Sequence, residues 1–279
     1  MFLHYYRYLP NFGDVLNLVI WPKYISSDLD SPASENEDAF VGIGTLINEN
    51  LPVARRLHIF GSGAGYGKCP VVAGKNWDVH FVRGPLTAKC IGVPASLAIS
   101  DPAIIINRMS YREAEKIFDC SFMPHHEIDS SRFRLLCESV GINYISPLAP
   151  CDEVIDSILG SRRLICSAMH GAIVAEALRV PWLPVITNSE ILKFKWQDWA
   201  EAMELKVSFS RLLAIWPETR SGLVGKTVAS IKEGLVKQTL EKLSASNNFI
   251  LGREEVLENR LCRIEEKIFD FNYNHGRRC

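Results

Sequence analysis

The sequence lacks the segments that direct a chain out of the cytoplasm or into a membrane. Its first residues, Met1 to Tyr8, show no basic region followed by the apolar stretch of a signal peptide. No apolar run approaches the roughly 18 residues that a membrane-spanning helix requires. The longest run, around Ile104-Ile105-Ile106, has the length of a core strand. We therefore expect a soluble, cytoplasmic protein without a transmembrane segment.

An excess of charge of one sign is also absent. The 279 residues include 31 basic and 32 acidic side chains, which leaves a formal net charge of -1. A chain so balanced creates no overall field that would attract nucleic acid or an anionic membrane surface. We expect no nucleic-acid partner, and any specificity for an anion must arise locally.

Cysteines at metal-binding spacing are missing. The eight cysteines are irregularly spaced and form no Cys-x-x-Cys pair, so a structural zinc site is not expected. The long chain without an export signal disfavours a disulfide framework. We interpret the cysteines as structural or incidental, with Cys166 packed as a small hydrophobic residue.

The sequence does contain a regular alternation of short apolar runs and helical patterns, which is typical of β-α-β units around a parallel sheet. Strands are predicted at 2–6, 40–43, 56–60, 79–82, 122–126, 143–145, 164–166 and 182–186, with a further strand-length apolar run at 103–106. Helices are predicted at 15–24, 129–140, 151–161 and 169–179, and most of the chain after Gln197 reads as helical. The last of these is amphipathic, with apolar residues at Val256, Leu257, Leu261, Ile264 and Ile268.

A domain boundary is predicted between residues 110 and 121, where one sheet ends and a new strand begins. We therefore predict an α/β fold of two Rossmann-like domains that face each other across a cleft. The N-terminal domain would span 1–115, and the C-terminal domain, with the final helices, 116–279. Ligands of such sheets bind at the carboxyl ends of the strands.

The segment Ser167-Ala168-Met169-His170-Gly171 is the first candidate for chemistry at such a strand end. It joins a buried strand to a helix, so His170 would lie among the unpaired N–H groups of a helix N-terminus, which favour anions. A histidine there can act as a general acid near neutral pH. The pattern also fits a histidine that merely hydrogen-bonds a neighbouring loop, and residue types alone leave both interpretations open.

The glycine-rich loop Gly61-Ser62-Gly63-Ala64-Gly65-Tyr66-Gly67 is the second candidate. Its backbone follows a strand and can approach a phosphate closely. No clear helix follows it, and no acidic residue stands at the spacing of a dinucleotide site, so an NAD site is disfavoured. A plain tight turn is the alternative.

Three cations are candidates for binding an anionic ligand. Arg83 ends a strand beside Gly84-Pro85 and could pair with a carboxylate or phosphate through two hydrogen bonds. Lys193 and Lys195 flank Phe194, so at most one of them would face a ligand. Ordinary solvated surface cations are the alternative for all three.

Two further polar groups follow predicted strands. Asn11 and Asp14 follow the first strand, and we interpret Asp14 as a helix cap rather than a catalytic group. His125-His126-Glu127 could suggest a metal, but adjacent residues of a strand point to opposite faces and no third ligand has suitable spacing. We therefore predict no metal site.

These segments, taken in order, resemble the polysaccharide pyruvyltransferase family. The resemblance lies in Asn11-Phe12-Gly13-Asp14, Gly42-Ile43-Gly44-Thr45, Gly61-Ser62-Gly63, Arg83-Gly84-Pro85-Leu86-Thr87, Asp101-Pro102-Ala103 and the block from Arg163 to Pro181 around His170. It covers roughly residues 1 to 200, and the order is more specific than any one motif. The stretch Lys195-Trp196-Gln197-Asp198-Trp199 adds a similarity to the short bacterial exopolysaccharide ketal transferases.

The resemblance implies a GT-B-like fold, phosphoenolpyruvate as donor co-substrate, a sugar as acceptor and no other cofactor. A lipid-linked oligosaccharide at the inner face of the membrane would be a suitable acceptor. His170 would be catalytic, and Asn11, Asp14 and His125 would be acceptor-binding or structural. The residues that would bind the donor are Arg83, Lys193, Lys195, Gly61, Ser62, Gly63, Ser167 and Gly171.

One departure from the family pattern concerns Ala168. Many family members have an arginine two positions before the histidine, so Arg83, Arg163 or a lysine would have to supply that charge here. Two other functions fit the motifs. One is a nucleotide-sugar glycosyltransferase on the same fold. The other is a non-catalytic glycan-binding or assembly protein, which the alanine keeps open.

Overall fold

The computed structural model describes residues 1–8, 11–111, 115–187, 193–215 and 223–276, with only the helical backbone for 223–229. The chain divides into two compact units. The first consists of Met1–Met109, Leu192–Val207 and Gly252–Cys279, and the second of Ser110–Ile191 and Ser208–Leu251. The predicted domains are continuous in sequence, whereas these units are not, because two segments of the second half pack in the first unit.

Parallel strands and helices alternate along most of the chain, as the apolar pattern predicts, but the strands at 38–41, 56–60 and 77–81 follow one another with no helix in the described residues between them. The strands are β1 (Phe2–His4), β2 (Asp38–Val41), β3 (Arg56–Phe60), β4 (Trp77–Phe81), β5 (Ser121–Met123), β6 (Asn143–Tyr144), β7 (Leu164–Cys166), β8 (Trp182–Ile186) and β9 (Ser210–Arg211). The α-helices are α1 (Phe12–Tyr24), α2 (Pro85–Ile91), α3 (Ser131–Glu138), α4 (Cys151–Leu159), α5 (Met169–Ala177), α6 (Lys193–Ala202), α7 (Leu223–Ser244) and α8 (Glu254–His275). Short 3₁₀ helices lie at Ala95–Leu97, Pro102–Arg108 and His126–Ile128. The predicted strands 56–60, 164–166 and 182–186 are confirmed at the same bounds.

The first unit contains a parallel sheet in the order β1-β2-β3-β4. Side chains alternate between its faces, as the period of a strand requires. From β3, Leu57 and Ile59 enter an aliphatic core that includes Ala88 and Ile91 of α2. Phe60 points to the opposite face and stacks on Phe40, with ring centroids 4.6 Å apart. Both faces of this sheet are therefore buried.

The second unit contains a parallel sheet in the order β6-β5-β7-β8-β9. Numbered within the unit, this is the order 2-1-3-4-5 of a doubly wound α/β sheet. Its core places Phe122 and Ile165 of the central strands against Phe133 of α3 and Val236 of α7. The α/β class with parallel sheets is thus confirmed.

Three sequence expectations are corrected. The apolar run at Ile104-Ile105-Ile106 is part of a 3₁₀ helix rather than a strand, because Asp101 caps it through the Ala103 N–H and Pro102 begins it. The strand predicted over 122–126 ends at Met123, since Pro124 and the next 3₁₀ turn follow. The short strand β9 was missed in a region expected to be helical.

Helix α8 confirms the amphipathic pattern. Its five predicted apolar positions are buried, and Phe271 joins them. Phe271 contacts the aromatic face of the first sheet, with its ring centroid 5.0 Å from that of Phe60. None of the helices that the structure describes is both long enough and apolar enough to cross a membrane.

The cysteines depart from expectation in one respect. Cys69, in the loop after β3, forms a disulfide with Cys90 of α2 across 21 residues of sequence. The packing of Cys166 is confirmed, because this thiol is fully buried. Burial also raises the pKa of Cys137 to about 12, with the Cys120 and Glu138 charges adding to the effect. Cys279 lies outside the described residues.

The aromatic face of the first sheet contains a histidine that resists protonation. His80 stacks on Phe60 with centroids 4.3 Å apart and has a pKa lowered to about 4, chiefly by burial and secondarily by His58. An unfolded histidine titrates near 6.5, so between these values the unfolded chain binds more protons than the folded one. The free energy of unfolding should therefore fall as pH drops from about 6.5 to about 4.

The substitution His80→Phe should make this acid-induced loss of stability less steep, since a phenyl ring retains the stacking without a titratable nitrogen. It should not abolish the loss, because the pKa of His4 is also lowered to about 4. Urea unfolding between about pH 7 and about pH 4 measures the slope. An unchanged slope in the variant would contradict the assignment.

Candidate functional site

In the first unit, the carboxyl end of β2 is fixed by a buried asparagine that the sequence did not single out. Asn17 of α1 accepts hydrogen bonds from the Ile43 N–H at 2.7 Å and from Trp21 Nε1 at 3.0 Å. Its amide donates to the carbonyl oxygens of Ile43 at 2.9 Å and Asp14 at 3.1 Å. A Cβ at Gly42 would overlap this amide and the Trp21 indole, so only glycine permits the approach. Asn17 thus fixes the turn after β2 against α1.

We expect the substitution Asn17→Leu to lower the free energy of unfolding by at least about 3 kcal/mol, because it leaves several buried polar groups without partners. Urea unfolding measures the change. Leu18→Ala is the control on the same helix, since Leu18 is 50% exposed and should change stability by about 0.5 kcal/mol. Equal effects of the two substitutions would show that the Asn17 contacts contribute little.

Asn11 and Asp14 form a capping box at the start of α1. The Asn11 side chain accepts from the Gly13 N–H at 3.0 Å, and Asp14 accepts from the Asn11 backbone at 3.4 Å. The helix begins at Phe12, three residues before its predicted start at Val15. The interpretation of Asp14 as a capping residue is confirmed, with Asn11 as the N-cap itself.

Arg83 lies behind the glycine-rich loop, with only 1% of its side chain exposed. Its Nε donates to Asp198 at 3.1 Å, Nη1 to Thr45 Oγ1 at 2.8 Å and Nη2 to the Ala64 carbonyl at 2.8 Å. A Cβ at Gly63 would overlap the guanidinium. Arg83 therefore joins the ends of β2 and β3 to helix α6.

Asp198, fully buried in α6, is the centre of this network. Its carboxylate also accepts from the Thr87 N–H at 2.9 Å and from Thr87 Oγ1 at 2.6 Å. Helix α2 has no side-chain cap at Gly84, and the carboxylate of Asp198 instead accepts a hydrogen bond from an N–H of its first turn. A Cβ at Gly84 would overlap the Asp198 carbonyl, which explains the glycine there.

The glycine-rich loop adjoins the start of α6. Ser62 Oγ donates to the Gly42 carbonyl, and Gly61 adopts φ +78°, a conformation that favours glycine. Lys195 Nζ lies 3.3 Å from Tyr66 Oη. Lys193, two residues earlier on the same helix, is exposed. The first unit thus places Lys195 of α6 near the loop that follows β3.

The second unit has its own candidate site at the ends of its strands. In a sheet of order 2-1-3-4-5, ligands bind where the strand order reverses, which here lies between the carboxyl ends of β5 and β7. Ser167 follows β7, and α5 begins two residues later with His170 in its first turn. The N-cap, Ala168, makes no side-chain hydrogen bond to the helix. This helix N-terminus is suited to an anionic group.

Gly171 and Ser167 hold the segment that contains His170 against the end of β5. A Cβ at Gly171 would lie 2.6 Å from Met123 Sδ, so the glycine lets α5 approach β5 closely. Ser167 accepts a hydrogen bond from the His125 N–H at 2.7 Å and thereby ties the end of β7 to the end of β5. His170 itself is half-buried.

The predicted site residues fall into two groups, one in each unit. The first unit contains Asn11, Asp14, Gly61, Ser62, Gly63, Arg83, Lys193 and Lys195, and the second contains His125, Ser167, His170 and Gly171. Asn17, Thr87 and Asp198 were missed as members of the first group. The pairing of Arg83 with Asp198 spans 115 residues of sequence, and no local pattern signals it.

Comparison with known proteins identifies a relative of this chain. No family model matches the chain. The chain is 40% identical over 200 residues to the succinoglycan biosynthesis protein ExoV of Rhizobium meliloti (strain 1021). The matched region is 69% of this chain and 61% of that protein. The chain thus spans less than two thirds of the relative's length.

Proposed function

We propose that this protein acts in exopolysaccharide biosynthesis as a ketal pyruvyltransferase. It would transfer the three-carbon unit of phosphoenolpyruvate to two hydroxyls of a sugar. The observation that carries the proposal is the 40% identity over 200 residues to a protein of succinoglycan biosynthesis. The specific reaction is inferred from the resemblance of the ordered strand-end motifs to the polysaccharide pyruvyltransferase family. The same proposal includes the assignment of both units to Rossmann-like domains of a GT-B-like fold. It also includes a cytoplasmic location, at the inner face of the membrane if the acceptor is lipid-linked.

The chemistry needs a proton donor at one carbon. Protonation of the methylene carbon of phosphoenolpyruvate makes C2 electrophilic, and a sugar hydroxyl then attacks C2. Phosphate leaves, and a second hydroxyl closes the cyclic ketal, so the products are the ketal and inorganic phosphate. We assign the proton transfer to His170, since it lies in the first turn of α5 at the strand-order reversal of its sheet.

The donor has a carboxylate and a phosphate, so its site needs cations and N–H groups. In the first unit we assign these to Lys193 or Lys195 with the loop Gly61-Ser62-Gly63, and the candidates in the second unit are Ser167 and Gly171. Arg83 fits a positioning role better than direct contact, because its guanidinium donates to Asp198, Thr45 and Ala64 and is almost fully buried. The direct donor contact expected for Arg83 stays a prediction.

The experiment that tests the function is mass spectrometry of candidate oligosaccharides, free and lipid-linked, after incubation with the purified protein and phosphoenolpyruvate. Ketal formation adds about 70 Da to the acceptor, the mass of pyruvate less water, as acid-base ketal transfer requires. One phosphate should be released for each acceptor modified.

Parallel incubations with uridine and guanosine diphosphate sugars provide the comparison. Addition of a whole sugar residue from one of them, with no product from phosphoenolpyruvate, would replace the proposal with glycosyl transfer. Neither product, across acceptors that include the succinoglycan repeat, would favour a non-catalytic role in glycan assembly.

A further inference from the structure

The 3₁₀ turn after β5 brings two imidazoles and a carboxylate together. The metal-ligating atoms of His125, His126 and Glu127 all lie within 4.8 Å of one another. The sequence disfavoured a metal here because neighbouring residues of a strand face opposite ways. The strand ends at Met123, however, and His125 instead precedes a 3₁₀ helix that begins at His126. The two rings consequently lie side by side, with centroids 4.3 Å apart.

From this cluster we propose that His125, His126 and Glu127 bind a divalent transition-metal ion of the zinc class. Two imidazoles and one carboxylate form a donor set that suits such ions. Ligand atoms in a tetrahedral zinc site lie roughly 3.3 Å apart, given metal–ligand bonds of about 2.0 to 2.1 Å. The distance from His125 Nδ1 to Glu127 Oε2 is 3.4 Å, so this pair already has the required spacing.

The backbone that presents these ligands is held on both sides. The His125 N–H donates to Ser167 Oγ at 2.7 Å, which fixes the turn to the end of β7. Within the turn, the Ile128 N–H donates to the His125 carbonyl at 3.0 Å. Beyond it, Asp129 accepts from Tyr144 Oη and from Ser146 Oγ, each at 2.6 Å. A turn anchored in this way can bind a metal with little rearrangement.

The metal would lie at the edge of the sheet where a ligand is expected to bind. The cluster follows β5, and His170 follows β7, so both lie at the strand-order reversal of the same sheet. Three protein ligands leave one coordination position for water or for an oxygen of a bound ligand. The metal would thus add positive charge to an edge where parallel sheets bind ligands. The inference concerns metal binding alone and does not rest on pyruvyl transfer.

The test is metal binding to the full-length, untagged protein after removal of metal by a chelator. Titration with Zn²⁺ by calorimetry should show one saturable site. Titration with Co²⁺ should give the visible bands of a tetrahedral site without the near-ultraviolet band of a cobalt–thiolate bond, which excludes the free thiols as ligands. No saturable binding of either ion, or a cobalt–thiolate band as the only signal, would overturn the proposal.

Variants assign the site. Glu127→Gln and His126→Gln should each weaken Zn²⁺ binding at least about 10-fold, whereas Glu153→Gln, at an exposed glutamate of α4 in the same unit, should leave it unchanged. If the histidine variant fails to fold, the Glu127 variant still tests the site. The Glu127 side chain is 45% exposed, so its replacement should not disturb folding. Unchanged affinity in the folded ligand variants would overturn the assignment. Loss of pyruvyl transfer with metal binding intact would instead bear on the proposed function.

Discussion

Replacement of His170 by glutamine should lower the turnover of phosphoenolpyruvate by about 100-fold or more, because the reaction loses its proton donor. Glutamine retains the size and hydrogen-bonding capacity of the histidine but cannot transfer a proton near neutral pH. Its position in the first turn of α5 should be kept, since Gly171 and the contact with Met123 are unchanged. Phosphate release in the presence of an acceptor measures the turnover.

Arg162→Gln provides the matched control in the same unit. Arg162 lies before the amino end of β7, whereas His170 lies beyond the carboxyl end, and its side chain is 62% exposed. We expect this variant to keep wild-type turnover. Turnover of His170→Gln within a few-fold of wild type, in protein with an unchanged circular dichroism spectrum, would remove His170 from the chemistry.

Asp198→Ala should cost about 3 to 5 kcal/mol of stability, the range for breaking one side of a buried ion pair. The loss leaves Arg83 charged and buried without its carboxylate, and it removes the acceptor for the Thr87 N–H in the first turn of α2. Hydrogen exchange should show the earliest loss of protection at that turn and in α6. Urea unfolding gives the total change in free energy.

Two further variants separate the ion pair from the helix that contains it. Gln197→Ala alters the exposed neighbour of Asp198 on α6 and should change stability by about 0.5 kcal/mol or less. The double variant Arg83→Met with Asp198→Leu should recover part of the loss, since it leaves no uncompensated charge. If the destabilisation of the double variant equals the sum for Arg83→Met and Asp198→Leu measured singly, packing and not charge dominates this site.

The outcomes at particular residues show why some predictions succeeded. The strand Leu164-Ile165-Cys166 was found at its observed bounds because a fully buried parallel strand must be apolar throughout. The buried stripe of α8 was found because its apolar residues recur with the period of a helix. Both signals are local, because each arises from the apolar side chains that one segment must bury away from water.

The outcomes at Asp198 and His126 show where local patterns fail. Asp198 follows Lys195 and Gln197, and no local pattern marks it as buried, yet it pairs with Arg83 and Thr87, more than 110 residues earlier, and is fully buried. His126 was assigned to a strand that ends three residues earlier, at Met123, and this difference decided whether its ring faces away from His125 or lies beside it. The end of β5 at Met123 is followed by Pro124, a local signal, and by the hydrogen bond from His125 to Ser167, a tertiary contact that the local sequence does not reveal.

The sequence by itself determined the α/β class, most strands and helices, and the segments that supply the candidate site. Each of these depends on the periodicity or the turn chemistry of one short stretch. The tertiary structure alone decided that 192–207 and 252–279 join the first unit, that Arg83 is neutralised by Asp198, and that β5 and β7 are neighbours. The physical reason is that burial, ion pairing and strand order depend on which distant segments exclude water together.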